Sequence, residues 1–237
     1  MDQEWLTLSD LAKETGRDQR ELERLTLRGR IPAHKRGNDW QYHTAEIRGW
    51  MEQELRGFSD AELASFEQSQ AETSPVSETL LSTYLAPEQV QVPLEGRTKR
   101  SILEALVETA GRTWKVWEPA VLLQAVIDRE SAMSTAFEKG VAIPHPRQPL
   151  AGSLEEAVVA FGRTTSPIPF GAADNSGTDL FFLVACRDTR THLRLLARLG
   201  RLIQKPGFLE ELRTAETSAD AFRILSGADQ LMESGAS

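Results

Sequence analysis

The stretch Gly140-Val141-Ala142-Ile143-Pro144-His145-Pro146 decides how the C-terminal part of this chain folds. Proline fixes φ, lacks a backbone donor and biases the preceding residue toward extended conformations. Because Ile143 and His145 each precede a proline, we expect a stiff loop at the end of a short apolar strand. An imidazole held on such a loop loses little rotational freedom in a transition state, which suits nucleophilic or proton-transfer chemistry. The alternative interpretation is an exposed loop histidine without a role.

Other segments of the chain, in a consistent order, favour the first interpretation. Upstream lie an arginine, an acid and two small hydroxyl residues, and downstream lie an apolar strand pattern and a second histidine. These are Arg129-Glu130, Ser134-Thr135, Pro169-Phe170, Asp174-Asn175, Thr178–Leu183 and Thr191-His192-Leu193. With the histidine loop, they resemble the enzyme IIA domain of the bacterial phosphotransferase system, of the fructose, mannitol and nitrogen-regulatory type. The resemblance covers residues 79–228 and implies an α/β domain, a mixed sheet flanked by helices.

The resemblance also implies which residues carry the chemistry. In that family a loop histidine accepts a phosphoryl group from the carrier protein HPr; by position it is His145, with His192 and Arg129 as catalytic partners. Neutral imidazole is a good nucleophile toward phosphorus, and a guanidinium offers a planar, charged fork to the phosphoryl oxygens. Taken alone, Arg129 suits a solvated helix end and His192 a packed helix N-terminus. Ser134 and Thr135 are candidate supporting donors, with a cap or turn as the favoured alternative.

The chain departs from the family directly after the hydroxyl pair. The family often carries several glycines there, whereas this chain has side chains before Gly140, namely Ala136, Phe137, Glu138 and Lys139. We expect the backbone there to adopt positive φ less freely, so the surface that docks the phosphoryl donor would differ. Phe137 is a candidate docking contact, with a place in the buried core as the favoured alternative.

The N-terminal region has a different pattern, in which caps and turn residues set the boundaries of helices. Leu8–Gly16 indicates a capped helix that ends at glycine. Asp18 is placed to cap a second helix. The apolar contacts expected from that helix are Leu22, Leu25 and Leu27.

A hairpin and a third helix follow. Two short strand-like runs flank Gly37-Asn38-Asp39, a turn pattern, and Thr44 is the expected cap of a helix from Ala45 to about Leu55. Trp40 and Trp50 are expected in the core. This order resembles the excisionase/MerR-like winged helix-turn-helix, a small and mostly helical domain.

The charge pattern of this small domain favours contact with double-stranded DNA. From Arg24 to Gly37 the chain carries several basic residues and no acid. The second helix would enter the major groove, and the wing would lie near phosphates. The candidate DNA-binding residues are Arg20, Arg24, Arg28, Lys35, Arg36 and Asn38. A basic face on a protein-binding winged helix is the alternative, and because one such module is small, a homodimer that contacts two half-sites is expected.

Composition bounds the remaining possibilities. The chain has 237 residues, 40% of them hydrophobic, and a formal net charge of −8, which argues against a protein that coats nucleic acid. Its single cysteine, Cys186, lies in an apolar strand-like run and excludes a disulfide framework or a cysteine-based zinc site. No apolar run suits a bilayer and no secretory signal is present, so we expect a cytoplasmic protein without membrane insertion, metal or cofactor.

The charge count also places the boundary between domains. Between Gly57 and Gly96 there is no Lys or Arg, and Gln68–Ser77 is small and polar, which is typical of a linker. Ser59-Asp60-Ala61-Glu62 is a capping-box pattern that predicts a short helix before it. The predicted organisation is a multi-domain chain: winged helix-turn-helix at 1–57, acidic linker at 58–78, enzyme IIA domain at 79–228 and flexible tail at 229–237.

These inferences lead to one principal hypothesis and two alternatives. The chain is predicted to be a phosphoryl-transfer protein rather than a free-standing metabolic enzyme, phosphorylated on His145 by phospho-HPr, with the phosphorylation state modulating DNA or partner binding. The first alternative is a sugar-transport component that passes phosphate to a IIB domain. The second is a DNA- or protein-binding module that no longer accepts phosphate.

Overall fold

The computed structural model describes residues 4–71 and 80–233, which divide into two units. The first unit contains the described residues 4–71 and a short stretch of a later helix, Leu196–Arg201. The second contains residues 80–195 and 202–233. None of the described helices is long and apolar enough to cross a membrane.

The first unit is a helical domain with a small antiparallel sheet. The sheet has the order β1-β3-β2, so the N-terminal strand pairs with the second strand of the hairpin. The elements are β1 (Trp5–Leu6), α1 (Leu8–Thr15), α2 (Gln19–Leu27), β2 (His34–Arg36), β3 (Asp39–His43), α3 (Thr44–Gly57) and α4 (Asp60–Ala71).

Local signals explain most of these boundaries. The Thr7 hydroxyl caps α1 in a capping box with Asp10, and α1 ends at Gly16, whose φ of 66° suits glycine. The Asp18 carboxylate accepts from the backbone N–H groups of Arg20 and Glu21, so the predicted cap of α2 is confirmed. The hydroxyls of Thr26 and Tyr42 form a buried hydrogen bond of 2.9 Å that ties α2 to β3.

Two predictions about this unit are wrong in detail. The N-cap of α3 is His43, whose imidazole accepts from the N–H of Ala45, whereas Thr44 is already the first helical residue. Leu27 is not an apolar contact of the core, because 69% of it is exposed at the last position of α2. Leu22 is fully buried as expected. Trp40 and Trp50 are only half-buried.

The second unit alternates helices and strands, as the sequence predicts. Its helices are α5 (Leu80–Tyr84), α6 (Lys99–Gly111), α7 (Pro119–Ala132), α8 (Thr189–Gln204), α9 (Phe208–Thr214) and α10 (Ser218–Glu233). Its strands are β4 (Val90–Gln91), β5 (Ala136–Phe137), β6 (Val141–Ala142), β7 (Val158–Pro169) and β8 (Gly177–Ala185).

The strands form one mixed sheet with the order β4-β7-β8-β6-β5. The pair β7–β8 is antiparallel, and β6 runs parallel to β8. On β8, Phe181 and Leu183 pack into the core formed with α6 and α7, while Phe182 on the opposite face is equally buried. The sheet is therefore buried on both faces, and the predicted mixed sheet flanked by helices is confirmed.

The parallel pair β6–β8 explains how distant parts of the sequence meet. Parallel neighbours end at the same edge of a sheet, and Ala142 of β6 is in register with Phe181 of β8. The chain that follows β6 contains His145, and the chain that follows β8 enters α8, which contains His192. The topology thus brings the two histidines to one edge.

Helices extend into the segments predicted to be the linker and the tail. Residues 60–71 form α4, which is longer than the short helix expected, and residues 72–79 lie outside the described part of the chain. The flexible tail expected from residue 229 is helical to Glu233, and the fully buried Asp229 accepts hydrogen bonds from the N–H and hydroxyl of Ser82. The remainder, 234–237, is also outside the described residues.

Helix α4 packs against the stretch of α8 that belongs to the same unit. The Glu67 carboxylate accepts from Arg198 Nε at 2.6 Å and from Arg201 Nη1 at 3.0 Å, and Asp60 accepts from Arg201 Nε at 3.1 Å. Glu67 and Arg198 are both 5% exposed. A Cβ on Gly200 would lie 3.1 Å from the Leu63 side chain, so the helices approach closely there. Residues 60–71 of the predicted acidic linker therefore form a packed helix.

Candidate functional site

His145 lies on the loop that leaves β6, and it is held there by the neighbouring strand. The backbone N–H of Val184 in β8 donates to the carbonyl of Pro144 at 3.0 Å, which extends the parallel pairing past the end of β6. His145 is 3% exposed. The expectation of a stiff loop at a strand end is met, since Pro144 and Pro146 restrain the backbone on both sides of His145 and the hydrogen bond holds the Pro144 carbonyl.

One hydrogen bond defines the state of the His145 ring. Nδ1 lies 2.7 Å from the carbonyl oxygen of Ile143. Because a carbonyl oxygen only accepts, Nδ1 must carry the proton, which leaves the lone pair on Nε2 in the neutral ring. The geometry thus favours one tautomer, with Nε2 as the nucleophilic atom.

His192 lies in the first turn of α8, next to His145. Helix α8 begins at Thr189, so His192 is the fourth residue of the helix. The Asp188 carboxylate accepts from the N–H of Thr191 at 2.8 Å and caps this end. The rings of His145 and His192 have centroids 5.0 Å apart and planes at 54°. The structure therefore brings together the two histidines predicted to form one site.

Arg129 lies in the last turn of α7 and is 7% exposed. Its Nη1 donates to the carbonyl of Met133 at 2.8 Å, which orients the guanidinium at the start of the hydroxyl-bearing segment. A buried guanidinium is not the solvated helix-end charge that was the alternative for this residue. Its contact with a phosphoryl group remains a prediction.

Glu130 is the residue whose importance the sequence analysis missed. Its carboxylate is 1% exposed and accepts from Ser134 Oγ at 2.8 Å and Thr135 Oγ1 at 2.6 Å, and it pairs with the Lys99 ammonium at 3.1 Å. The only sequence signal was an acid a few residues before two hydroxyls. Ser134 Oγ also accepts from the N–H of Ala136 at 3.2 Å, so the turn role predicted as the alternative is present.

The segment without the family's glycines still reaches positive φ. Lys139 has φ 70° and Gly140 has φ 77°, contrary to the expectation that a side chain would hinder this conformation. Arg213 of α9 accounts for it, because its guanidinium donates to the Lys139 carbonyl and to both oxygens of Asp179. The hydrogen bond with Asp179 raises the pKa of the Arg213 guanidinium. Phe137 is half-buried in β5.

The candidate DNA-binding side chains form an exposed basic surface on α2 and the β2–β3 hairpin. All of them are exposed: Arg20, Arg24, Arg28, Lys35, Arg36 and Asn38. The Arg36 guanidinium lies 4.0 Å from the centroid of the Trp5 ring, a cation–π contact that orients the wing. His34 Nε2 forms a 2.7 Å hydrogen bond with the Glu46 carboxylate, so this ring nitrogen is already engaged within the domain.

Comparison with known proteins agrees with this architecture. Residues 83–228 match the family described as the phosphoenolpyruvate-dependent sugar phosphotransferase system, EIIA 2, and residues 5–54 match a helix-turn-helix domain. The nitrogen regulatory protein of Escherichia coli (strain K12) is 31% identical over 155 residues, 63% of this chain and 91% of that protein. The fructose-specific EIIABC component of Bacillus subtilis is 24% identical over 63% of this chain and 24% of its own length.

Solved structures agree as well. The crystal structure of the nitrogen regulatory protein IIA-Ntr from Neisseria meningitidis superposes with a TM-score of 0.56 at 27% identity, over 62% of this chain and 99% of that one. The mannitol IIA of Escherichia coli superposes with a TM-score of 0.52 at 20% identity, over 59% of this chain and 97% of that one. The second similarity shows a shared fold alone.

Proposed function

The chain belongs to the phosphoenolpyruvate-dependent sugar phosphotransferase system EIIA 2 family, and we propose that Nε2 of His145 accepts a phosphoryl group from phospho-HPr. The observation that carries this proposal is the 2.7 Å hydrogen bond between His145 Nδ1 and the Ile143 carbonyl, which leaves Nε2 as the nucleophile. The family supports a phosphocarrier role in general. The donor and the phosphorylated atom are the finer parts of the proposal.

The proposed reaction needs no change of protonation at Nδ1. The Nε2 lone pair forms a bond to phosphorus, and the bond between phosphorus and the donor breaks, with its electron pair leaving on the donor. The proton stays on Nδ1 and keeps its hydrogen bond to the Ile143 carbonyl, whose oxygen stabilises the positive charge developing on the ring. His192 and Arg129 are proposed to stabilise the equatorial phosphoryl oxygens.

The test is transfer of labelled phosphate from phosphoenolpyruvate through enzyme I and HPr. We expect an acid-labile label on the wild type and none on His145→Ala. His192→Ala should be labelled about a hundredfold more slowly, the usual cost of removing one donor that stabilises transition-state charge. His34→Ala is the matched control, since it removes a histidine of the first unit and should be labelled normally.

An unlabelled wild type, with partner proteins shown to be active on another acceptor, would contradict the proposal. It would support the alternative of a binding module that does not accept phosphate. A labelled His145→Ala variant would instead show that another residue is the acceptor.

The first unit is proposed to bind double-stranded DNA. The support is the exposed basic surface of α2 and the β2–β3 hairpin, together with the helix-turn-helix match. In this arrangement α2 enters the major groove, where Arg20 and Arg24 contact base edges, and Lys35 and Arg36 of the wing contact phosphates.

We further propose that phosphorylation modulates DNA binding. The support is the contact between α4 and α8: α4 continues the DNA-binding unit, and its partners Arg198 and Arg201 lie on the helix that also carries His192. A shift of α8 caused by phosphate at its first turn would move Arg198 and Arg201, and with them the ion pairs that hold α4. The name of the nitrogen regulatory relatives is consistent with a regulatory role.

A sugar-transport role is the second candidate. The relative from Bacillus subtilis is named as a fructose-specific EIIABC component. If this chain works in the same way, the labelled wild type should pass its phosphate to a IIB protein. Rapid loss of label to a IIB acceptor, without any effect of label on DNA affinity, would favour transport over regulation.

A further inference from the structure

We propose that Glu130 is a positioning residue that fixes the tautomer and orientation of His145 from a distance. This inference rests on the proposed function, since it concerns how the acceptor ring is prepared. Glu130 does not touch the ring in the contacts described above. It acts through Thr135 and Ile143.

The first step is the set of groups that point at the Glu130 carboxylate. Oε2 accepts from the backbone N–H of Thr135 at 3.0 Å and from its hydroxyl at 2.6 Å. Oε1 accepts from the Ser134 hydroxyl at 2.8 Å and faces the Lys99 ammonium at 3.1 Å. The Ser134 hydroxyl also lies 2.8 Å from the Phe170 carbonyl oxygen, so its single proton is shared between two acceptors. The Thr135 groups at Oε2 and the Lys99 ammonium at Oε1 are donors, so both positions require an accepting oxygen, which only a carboxylate supplies.

The second step connects Thr135 to the histidine loop. Thr135 is fully buried, and its carbonyl accepts from the N–H of Ile143 at 3.3 Å. The same pairing continues into β5 and β6, where Ala136 is in register with Ala142. Holding Thr135 at both its N–H and its hydroxyl therefore fixes the partner of Ile143.

The third step connects Ile143 to the ring. The residue uses its N–H toward Thr135 and its carbonyl toward His145 Nδ1. Since Pro144 has a restricted φ, the carbonyl cannot turn independently of the peptide that follows it. The orientation of the Ile143 carbonyl, and with it the Nδ1–H tautomer, depends on the anchoring of Thr135 by Glu130.

Charge explains why a neutral isostere cannot replace Glu130. In Glu130→Gln one accepting oxygen becomes an NH₂ group. This group would face the N–H of Thr135 in one orientation of the amide and the Lys99 ammonium in the other, so one donor is left unsatisfied in either case. The Lys99 ammonium would also lose its ion pair. We therefore expect the segment 134–136 to shift although the volume of the side chain is unchanged.

The test is the ¹⁵N spectrum of the His145 ring in the full chain, without any phosphoryl donor. The wild type should show protonated Nδ1 and unprotonated Nε2, whereas Glu130→Gln should show exchange with the Nε2–H tautomer. Phosphorylation of Glu130→Gln by phospho-HPr should be about tenfold to a hundredfold slower, because small displacements of a reacting group have effects of this size.

Asp229→Asn is the matched control, because Asp229 is also a buried carboxylate that accepts from the N–H and hydroxyl of one residue, Ser82. It should leave the ring spectrum unchanged. If Glu130→Gln does not fold, Thr135→Val removes one of the same hydrogen bonds and should give a smaller shift toward the Nε2–H tautomer.

A folded Glu130→Gln variant with the wild-type ring spectrum and the wild-type labelling rate would overturn the inference. If Glu130→Gln does not fold, an unchanged ring spectrum in folded Thr135→Val would overturn it instead. The ring spectrum separates this failure from that of the proposed function. If the wild type accepts no phosphate but Glu130→Gln still changes the tautomer, only the acceptor role fails.

Discussion

At the scale of single residues, the environment of a side chain decides what it can do chemically. His145 and Cys186 both follow strands of the same sheet and are both buried, at 3% exposure each. The imidazole has a hydrogen-bond partner that selects its nucleophilic nitrogen. Burial of the Cys186 thiol, by contrast, raises its pKa well above the ordinary value and disfavours the reactive thiolate.

Cys186 is therefore expected to be inert in the native protein. Iodoacetamide at mildly alkaline pH should modify it more than about tenfold more slowly than in the urea-unfolded chain, because each unit of raised pKa lowers the thiolate fraction about tenfold. Mass spectrometry is unambiguous here, since the chain has one cysteine. The unfolded chain is the control, and equal rates in both states would show that the thiol is accessible.

At the scale of secondary-structure elements, α4 is the segment for which the structure differs most from the sequence-based prediction. It carries acids and no Lys or Arg, the composition of a solvated linker. Nevertheless, Glu67 is buried, with two arginines of α8 as partners. The burial of Leu63 against Gly200 supplies the apolar part of the same contact.

Glu67→Gln should lower the free energy of unfolding by about 3 kcal/mol, because removing one partner leaves buried guanidinium charge uncompensated. Asp60→Asn is the matched control: the Asp60 side chain is 61% exposed and pairs with Arg201 at the surface, so loss of this ion pair should cost less than about 1 kcal/mol. Urea unfolding measures both. Equal effects of the two substitutions would mean that the buried pair contributes nothing specific.

At the scale of the whole molecule, the proposed phosphorylation site and the proposed DNA-binding surface occupy one chain. The net charge is −8, so any affinity for DNA must come from the local basic surface rather than from the molecule as a whole. Helix α8 belongs to both units, with Leu196–Arg201 in the first and the rest, including His192, in the second. This shared helix is the basis for the proposed coupling.

The coupling predicts that phosphorylated and unphosphorylated wild type differ in affinity for DNA. With a fluorescein-labelled duplex of random sequence at low salt, we expect fluorescence anisotropy to show a difference for the wild type and none for His145→Ala treated in the same way. Glu67→Gln should still accept phosphate but lose most of the difference, because it breaks the contact between α4 and α8.

Arg36→Ala tests the DNA surface itself. It should weaken DNA binding and reduce the slope of log affinity against log salt concentration by about one, the value for one lost phosphate contact. Arg112→Ala removes an exposed arginine of the second unit and serves as its control. If wild type binds no duplex, the basic surface contacts another kind of partner. If it binds but phosphate has no effect, the coupling is wrong while the DNA-binding role stands.

The sequence by itself determined the family, the two-domain arrangement and the mixed sheet. These depend on local signals: a Pro-His-Pro loop after an apolar strand, a helix end at Gly16, a helix cap at Asp18, and alternating helix and strand patterns. Such signals act over a few residues, so they can be recognised without knowing what packs against them.

Only the tertiary structure decided how the candidate site is held. The anchoring of Thr135 by Glu130, the positive φ of Lys139 under Arg213, and the burial of Glu67 against Arg198 join residues from different elements. A buried acid and an exposed acid look alike in sequence, because what separates them is the donors that the fold brings near. The physical reason is that charge and hydrogen-bond satisfaction are set by neighbours in space, whereas caps and turns are set by neighbours in the chain.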